Sequence, residues 1–458
     1  MTDATTVQAV DYLLIGGGLA SATAAKEIRK RDPRGSILIV ASEPALPYNR
    51  PPLSKEYLRG AIGAEGIYGK GGVYVHRRPW YDEQRIAVLR GVAAQALDTA
   101  AQRVHLTDGR AYHYRTLLIA TGGRARRLSV PGADLPGVYH LRTLDDANIL
   151  RAQLSVPGKR VVVVGCGFIG LETAAGAVMQ EAQVTMIDSH DRFWPRLMPS
   201  RLSAFFEDQF TQRGVRIRHQ QTVTGFVAGP DGQCAAVRIG PAGTRTETRT
   251  GAPAVGSRPL EDIACDLAIV GVGSELNTEL AASAGLDVDP RHGIVVDERL
   301  ETRIAGVFAA GDIVTYPDPL AGRMHFEHWD HAIQSGTVAA ANMAGGDEPY
   351  RHVPYFFSDQ FDYSINMLGY PSSDAQVVMR GELATNAFTA FYLERGTTLR
   401  AAFMLNDDAH MDLVREWIAT SASFPDAQRL ADPNVPLATP APERARHMSS
   451  GGSGEMPK

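Results

Sequence analysis

Apolar residues in this chain come in short runs and longer periodic stretches, and one arrangement of them occurs twice. Tyr12–Ile15 is an unbroken apolar run, followed by the glycine-rich GGGLASATAAKEIRK and then by a second run, Ser36–Val40. Arg160–Val164, GCGFIGLETAAGAVMQ and Gln183–Ile187 repeat that order. A short apolar run bounded by glycine reads as a strand, and a longer stretch of small residues reads as a helix. Each copy is thus a strand, a tight turn, a helix and a second strand, the unit that holds a dinucleotide at its first turn. Two such sites are predicted.

Other segments are simpler. RVHLTDGRAYHYRTLLIATGG reads as a hairpin turning at Asp108-Gly109, then a strand at Thr116–Ala120. Residues 215–240 are strand-rich, and GPAGTRTETRTGAPAVGSRP (240–259) reads as an exposed loop. Apolar strands return at Leu267–Gly271 and Val307–Ala310, and a helix is expected from about His328 to Ala344. From Tyr355 the pattern changes: Ser364–Leu368, Phe388–Leu393 and Leu399–Leu405 read as antiparallel strands, followed by a helix at Met411–Thr420. Residues 426–458 are expected to form a disordered tail, Pro/Ala/Gly/Ser-rich from near Asp432.

Composition narrows the class of protein. The 458 residues are 44% hydrophobic and 21% charged, ordinary for a globular chain with several cores. A net charge of −5 argues against nucleic acid as the main partner. Arginines cluster at Arg124, Arg126 and Arg127 and at Arg213, Arg216 and Arg218. A solvated surface is the favoured reading, and a docking patch for an acidic protein is the sharper one. The cysteines Cys166, Cys234 and Cys265 are scattered, form no CxxC and suit a reducing compartment. The N-terminal residues lack the basic start and long apolar run of a signal peptide, and no apolar segment is long enough to span a bilayer. A cytoplasmic location with no membrane partner is expected.

The turns name candidate residues. Gly16, Gly18 and Ala20, with Leu19 between them, form the first; glycine lets backbone approach a pyrophosphate at a helix N-terminus. Glu43, 25 residues after Gly18, stands where a carboxylate accepts hydrogen bonds from an adenosine ribose. Alone, such a turn is a weak signal that a flexible strand-to-helix corner also gives, but the strand before it, the helix after it and Glu43 beyond favour a nucleotide. Gly165, Gly167 and Gly170 complete GxGxxG in the second, with Phe168 and Ile169 opening its helix. Asp188, 18 residues after Gly170, suits the ribose hydroxyls, and with Asp191 it would repel a 2′-phosphate. Arg192 argues the other way, and NADH is favoured over NADPH. Cys166 reads as a small filler rather than a reactive thiol.

Several motifs together resemble those of the FAD/NAD-dependent pyridine nucleotide reductases, in particular the ferredoxin reductases of oxygenase systems and the apoptosis-inducing-factor group. They are PYNRPPLSKEYLRG (Pro47–Gly60), LLIATGGRARRLSVPG, VVVVGCGFIGLE, VFAAGDI and YFFSDQFDYSINMLGY, and the likeness spans roughly residues 10–420. The resemblance implies an α/β chain with two Rossmann-like, glutathione-reductase-type domains and a small C-terminal α+β domain. Residues 1–123 and 258–345 would bind FAD, 124–257 would bind NAD, and 346–425 would form the third domain.

The same resemblance implies roles. Arg50, Lys55 and Arg142 would reach FAD; Ala94, Ala120, Thr121, Gly122, Gly271 and Gly311 would line the cofactors. Asp312 would hold the ribityl chain, although a helix cap is its simpler reading. Lys55 would lie near flavin N5 and pair with Glu172, the two catalytic candidates. Glu327, His328 and Trp329, in HFEHWDHAIQSG, would contact the flavin, and the helix beginning there would aim its positive end at flavin O2. His325, His328 and His331 lack a clear fourth ligand set, and no metal is expected. Phe357 stands where relatives often have Trp, and Asn366 where ferredoxin reductases tend to have Gln.

No CxxxxC follows the first turn and no Cys lies between residues 40 and 50, which argues against thiolate chemistry. The function expected is hydride transfer from NADH to FAD, then electron transfer to a small acidic iron–sulfur protein, by a monomer or homodimer. The alternatives are an apoptosis-inducing-factor-like NADH oxidase or redox sensor, a monodehydroascorbate-type reductase, and a non-catalytic protein that changes shape on binding NADH.

Overall fold

The computed structural model describes residues 7–243 and 260–437. Its first sheet grows from Val7–Ile15, with Ile37–Ala41 and then Ile86–Arg90 added in parallel on one side. Ala111–Ile119 lies on the other side, also parallel. Its second half carries Val307–Ala309, while its first half turns antiparallel against Arg103–Leu106, the hairpin expected around Asp108-Gly109. All five residues of Ile37–Ala41 are buried, because helices cover both faces of a parallel sheet. The helix Leu19–Arg31 packs on Trp329–Met343, a helix from near the other end of the domain. They approach closely: a β-carbon on Gly336 would lie 2.6 Å from the Ala20 carbonyl oxygen.

The second sheet is parallel throughout, in the order 216–218, 183–187, 160–164, 267–270, 138–139. It extends past the boundary placed at residue 258. Leu267–Val270 pairs with Arg160–Val164, so this strand belongs to the second sheet and not the first. Four apolar residues bounded by turns look alike in either sheet, and only their pairing decides membership. The chain passes between the sheets through two short antiparallel strands, Gly123–Ala125 and Ser274–Leu276. Three antiparallel strands, 221–228, 234–241 and 261–264, flank the second sheet. Of the expected loop at 240–259, residues 244–259 lie outside the described residues.

The third domain is a five-stranded antiparallel sheet in the order 355–360, 363–369, 398–405, 387–394, 376–382. The helix Met411–Ala419 buries Val414, Trp417 and Ile418 against it. The first part of the segment read as tail, residues 426–437, is ordered. A short helix at Gln428–Ala431 buries Leu430, and the Arg380 guanidinium donates to the carbonyls of Leu430, Asp432, Pro433 and Val435. One arginine satisfying four carbonyls holds a segment whose composition gives no hint of order. Residues 438–458 lie outside the described residues.

Candidate functional site

Both glycine turns open into one cleft of about 760 Å³ where the three domains meet, within the range of ligand sites. Its lining includes every residue expected to be catalytic or to bind a cofactor except Gly165, Gly170 and Asp188.

The first turn is built for close approach. Gly16 has φ +124°, and a β-carbon there would lie 2.1 Å from the Ala120 carbonyl oxygen, so the strand end carrying Ala120 sits directly on the turn. Gly18 caps Leu19–Arg31 with no side-chain hydrogen bond, leaving the first-turn amides for a ligand.

Around it, successive side chains of PYNRPPLSK take separate tasks. Tyr48 donates to Glu43 (2.5 Å) and accepts from Arg50 Nη1 (2.8 Å) and the Leu144 amide (3.0 Å). Arg50 also donates to Glu43 Oε1 (2.8 Å) and the Arg142 carbonyl (2.6 Å). Arg142 in turn bonds the Gly123 carbonyl and pairs with Asp312 at 2.9 Å. Asn49 accepts from Trp329 Nε1 at 2.7 Å and locks the indole at the cleft wall. A carboxylate has about four acceptor positions, so Glu43 keeps capacity for a ribose hydroxyl.

Lys55 and Glu172 come from different domains and meet at 2.8 Å, with side chains 4% and 3% exposed. An isolated charge so deeply buried would be prohibitive, and pairing is what makes the site tolerable. Glu172 also accepts from Ser54 and, at 2.6 Å, from Ser358. Phe357 places its ring centroid 5.3 Å from Lys55 Nζ and lies edge-on to Trp329. Asn366 accepts from Tyr355 behind this wall.

In the second turn, a β-carbon on Gly170 would lie 2.0 Å from the Gly165 carbonyl oxygen, so the helix can start this close to the strand only with glycine. Gly165 and Gly170 therefore shape the turn from beneath, while Gly167, Phe168 and Ile169 face the cleft. Asp188 accepts from the Cys166 amide (2.6 Å) and from the His190 amide and ring (2.7 Å each), bracing the turn at its edge. Arg192 is paired with the adjacent Asp191. Cys166 is buried, and burial pushes its thiol well up, which makes it an inert filler. Cys234 and Cys265, far apart in sequence, meet at 4.0 Å in a buried apolar cluster.

The helix Trp329–Met343 points its N-terminus at the cleft, where Trp329, Asp330 and Ala332 contribute to the lining. His328 stacks on Phe356 at 4.8 Å, and burial pushes its pKa down to about 4, so it is neutral near pH 7. Glu327 is joined to Ser274 and to His325. Burial is the largest single effect on both Glu327 and His325 and works to neutralise them, but their mutual hydrogen bond, the Ser274 hydroxyl on Glu327, the Val314 carbonyl on His325 and the surrounding charges together outweigh it: the carboxyl is held low and the imidazole high. His331 bonds Tyr350, and His352 pairs with Asp330, so these histidines are engaged separately. Four of the six clustered arginines form ion pairs, Arg124 with Glu275 and Glu279, Arg127 with Asp134, Arg213 with Asp362 and Arg218 with Glu261, and Arg126 donates to the Ser274 carbonyl.

Residues 10–336 match the family model described as pyridine nucleotide-disulphide oxidoreductase, and residues 355–441 match a reductase C-terminal model. The chain belongs to the pyridine nucleotide-disulphide oxidoreductase family. It is 37% identical to the ferredoxin–NAD(+) reductase component of an anthranilate 1,2-dioxygenase system from Burkholderia cepacia, covering 93% of this chain and 98% of that one. It is 33% identical to putidaredoxin reductase of Pseudomonas putida, covering 93% and 96%. Among solved structures, a ferredoxin reductase from Rhodopseudomonas palustris superposes with TM-score 0.82 at 30% identity, covering 93% and 98%. The covalent complex of putidaredoxin reductase with putidaredoxin gives 0.82 at 32%, covering 93% and 97%.

Tyr48, Asn49, Ser54, Ser274 and Phe356 also line or brace the cleft and were not singled out from the sequence. Tyr48, Asn49 and Ser54 stand inside the Pro47–Gly60 motif, so the signal was present. Phe356 stands likewise inside YFFSDQFDYSINMLGY, whereas Ser274 carries no local signal, because its role depends on how the domains meet.

Proposed function

We propose that this protein is an FAD-dependent NADH oxidoreductase that takes hydride from NADH and delivers electrons to a small iron–sulfur protein. The observation that carries this reading is the buried Lys55–Glu172 pair lying between two glycine turns in one cleft. FAD, when bound, supplies the chemistry: it accepts a two-electron hydride and releases electrons singly.

The protein's part is binding, orientation and charge. Gly16, Gly18, Leu19 and Ala20 would cradle the FAD pyrophosphate, and Glu43 would take its ribose. Arg50, Arg142, Ala94, Ala120, Thr121, Gly122 and Gly311 would line the rest, with Asp312 on the ribityl hydroxyls. Lys55 would stand at the ring edge where hydride arrives, its charge held by Glu172. Glu327, His328, Trp329 and Phe357 would close the ring face. Gly165, Gly167, Phe168, Ile169, Gly170 and Gly271 would seat NADH, with Asp188 at its ribose. Asp188 and Asp191 would repel a 2′-phosphate, and Arg192 beside them already shares an ion pair with Asp191, which supports NADH over NADPH.

The relatives' names are those of ferredoxin-type reductases, which supports an iron–sulfur acceptor over oxygen or monodehydroascorbate. Among the described residues no helix is long and apolar enough to cross a membrane, and a cytoplasmic site of action is part of the proposal. The test is anaerobic mixing of FAD-loaded protein with NADH and with NADPH, followed by a panel of acceptors: ferredoxin, rubredoxin, quinone, oxygen and monodehydroascorbate. NADH is expected to bleach the visible flavin band faster than NADPH, with a ferredoxin the best acceptor. Protein that binds no flavin, or that passes electrons only to oxygen, ends this reading.

A further inference from the structure

Glu172 is held by more than Lys55. Its Oε2 receives Lys55 Nζ and the Ser54 hydroxyl, and its Oε1 receives the Ser358 hydroxyl at 2.6 Å. Lys55 and Ser54 come from the segment after the first sheet's second strand, and Glu172 from the helix of the second turn. Ser358 comes from Tyr355–Gln360, the edge strand of the third domain. One carboxylate therefore ties three domains together.

The bond from Ser358 has a fixed direction. An ionised carboxylate only accepts, so Ser358 must donate to it. Gln360, two residues along and on the same face of the strand, donates from Nε2 to Ser358 Oγ at 3.1 Å. The chain of donors runs Gln360 to Ser358 to Glu172, each step leaving the hydroxyl proton aimed at Oε1.

This polar pair is costly as packing. Ser358 and Gln360 are both fully buried, and Gln360 Oε1 has no hydrogen-bond partner among the described residues. Buried polar groups are normally satisfied, and an orphaned acceptor calls for a reason. An apolar pair would fill the same space without that cost. The Lys55–Glu172 pair supplies the reason: Asp359, which stands between Ser358 and Gln360 in the strand, feels the charges of both Lys55 and Glu172, and the Ser358 hydroxyl ties Glu172 Oε1 to that same strand. Each further donor to Glu172 fixes where its oxygens lie relative to Lys55 Nζ.

We propose that Ser358 and Gln360 are positioning residues, contributed by the third domain, that hold Glu172 against Lys55. The inference rests on the proposed placing of Lys55 beside the flavin. It gives the third domain a part in the hydride step as well as in covering the cleft.

The test uses the full FAD-loaded chain and two readouts: the limiting rate of flavin reduction by NADH, and the flavin midpoint potential. Ser358→Ala is expected to lower the limiting rate about tenfold, the loss of about one charge-assisted hydrogen bond. It should also shift the potential to more negative values, because Lys55 no longer holds its positive charge in place. Ser358→Thr keeps a hydroxyl and should stay within about twofold of the parent. Gln360→Met leaves Ser358 in place and should give a smaller change of the same sign, which serves if Ser358→Ala fails to fold. In an E172Q background, Ser358→Ala should have little further effect on either readout. Equal effects in both backgrounds, or a lower melting temperature with rate and potential unchanged, would overturn the proposal. Lys55→Ala separates the two levels. If it changes rate and potential while Ser358→Ala and Gln360→Met do not, only the positioning role falls; if Lys55→Ala changes neither, the placing of Lys55 falls and takes the inference with it.

Discussion

Tyr48 shows how much one side chain can organise. Its hydroxyl joins the carboxylate expected at the ribose, the guanidinium of Arg50 and the first free amide of the helix Leu144–Leu154. That oxygen is buried, and burial raises its pKa, so it works as a neutral donor that also accepts. Tyr48→Phe keeps the ring and removes all three bonds. It should cost about 1–3 kcal/mol through the Leu144 amide and Arg50 left without this acceptor. A lower thermal midpoint and weaker FAD retention, followed by flavin fluorescence, are the measurements. An unchanged affinity for FAD would mean that Glu43 and Arg50 hold their places without it. Such residues were half legible in advance. The motif containing Tyr48 points at the cofactor, but which member meets which partner depends on Arg142, 92 residues from Arg50 in the chain.

Elements were legible where their pattern is local. The two glycine turns, the hairpin at Asp108-Gly109 and the helix starting near His328 follow from short-range sequence, since turn chemistry and periodicity act over a few residues. The helix Leu144–Leu154 was missed although Thr143 and Asp146 form a capping box, a signal that sequence alone carries. How elements pack was not legible. The contact between Leu19–Arg31 and Trp329–Met343 depends on Gly336, which reads as an ordinary small residue in a helix. Gly336→Val should push the two helices apart because its β-carbon meets the Ala20 backbone, and backbone cannot rotate away. A loss of more than about 2 kcal/mol is expected, with FAD released at lower temperature. Unchanged thermal unfolding and FAD release would show that the helices separate at little cost.

At the scale of the whole molecule, three domains contribute to one site, and the third reaches further along the chain than its composition suggests. Ending the chain at residue 426 removes the burial of Leu430 and the four carbonyl acceptors of Arg380. Burying one leucine is worth about 1.5–3 kcal/mol, and Arg380 would lose its partners as well. The shortened protein should melt at lower temperature, with the change read in the near-ultraviolet circular dichroism of the third domain's aromatic residues. An unaltered melting curve would mean that the segment rests on the domain without supporting it.

Short-range pattern was enough to establish two dinucleotide turns, the strands and helices around them and the family to which the chain belongs. A turn's conformation and an apolar run are set within a few residues, so they are written locally. Tertiary structure alone decided that Leu267–Val270 joins the second sheet, that residues 428–431 form a helix, and that Cys234 meets Cys265. It alone brought Ser54 and Ser358 to the Glu172 carboxylate, beside the Lys55 that the family resemblance already paired with it. Those outcomes depend on which surfaces exclude water together and which buried charges find partners. Burial and pairing join residues more than a hundred positions apart, and no local stretch of the chain carries that information.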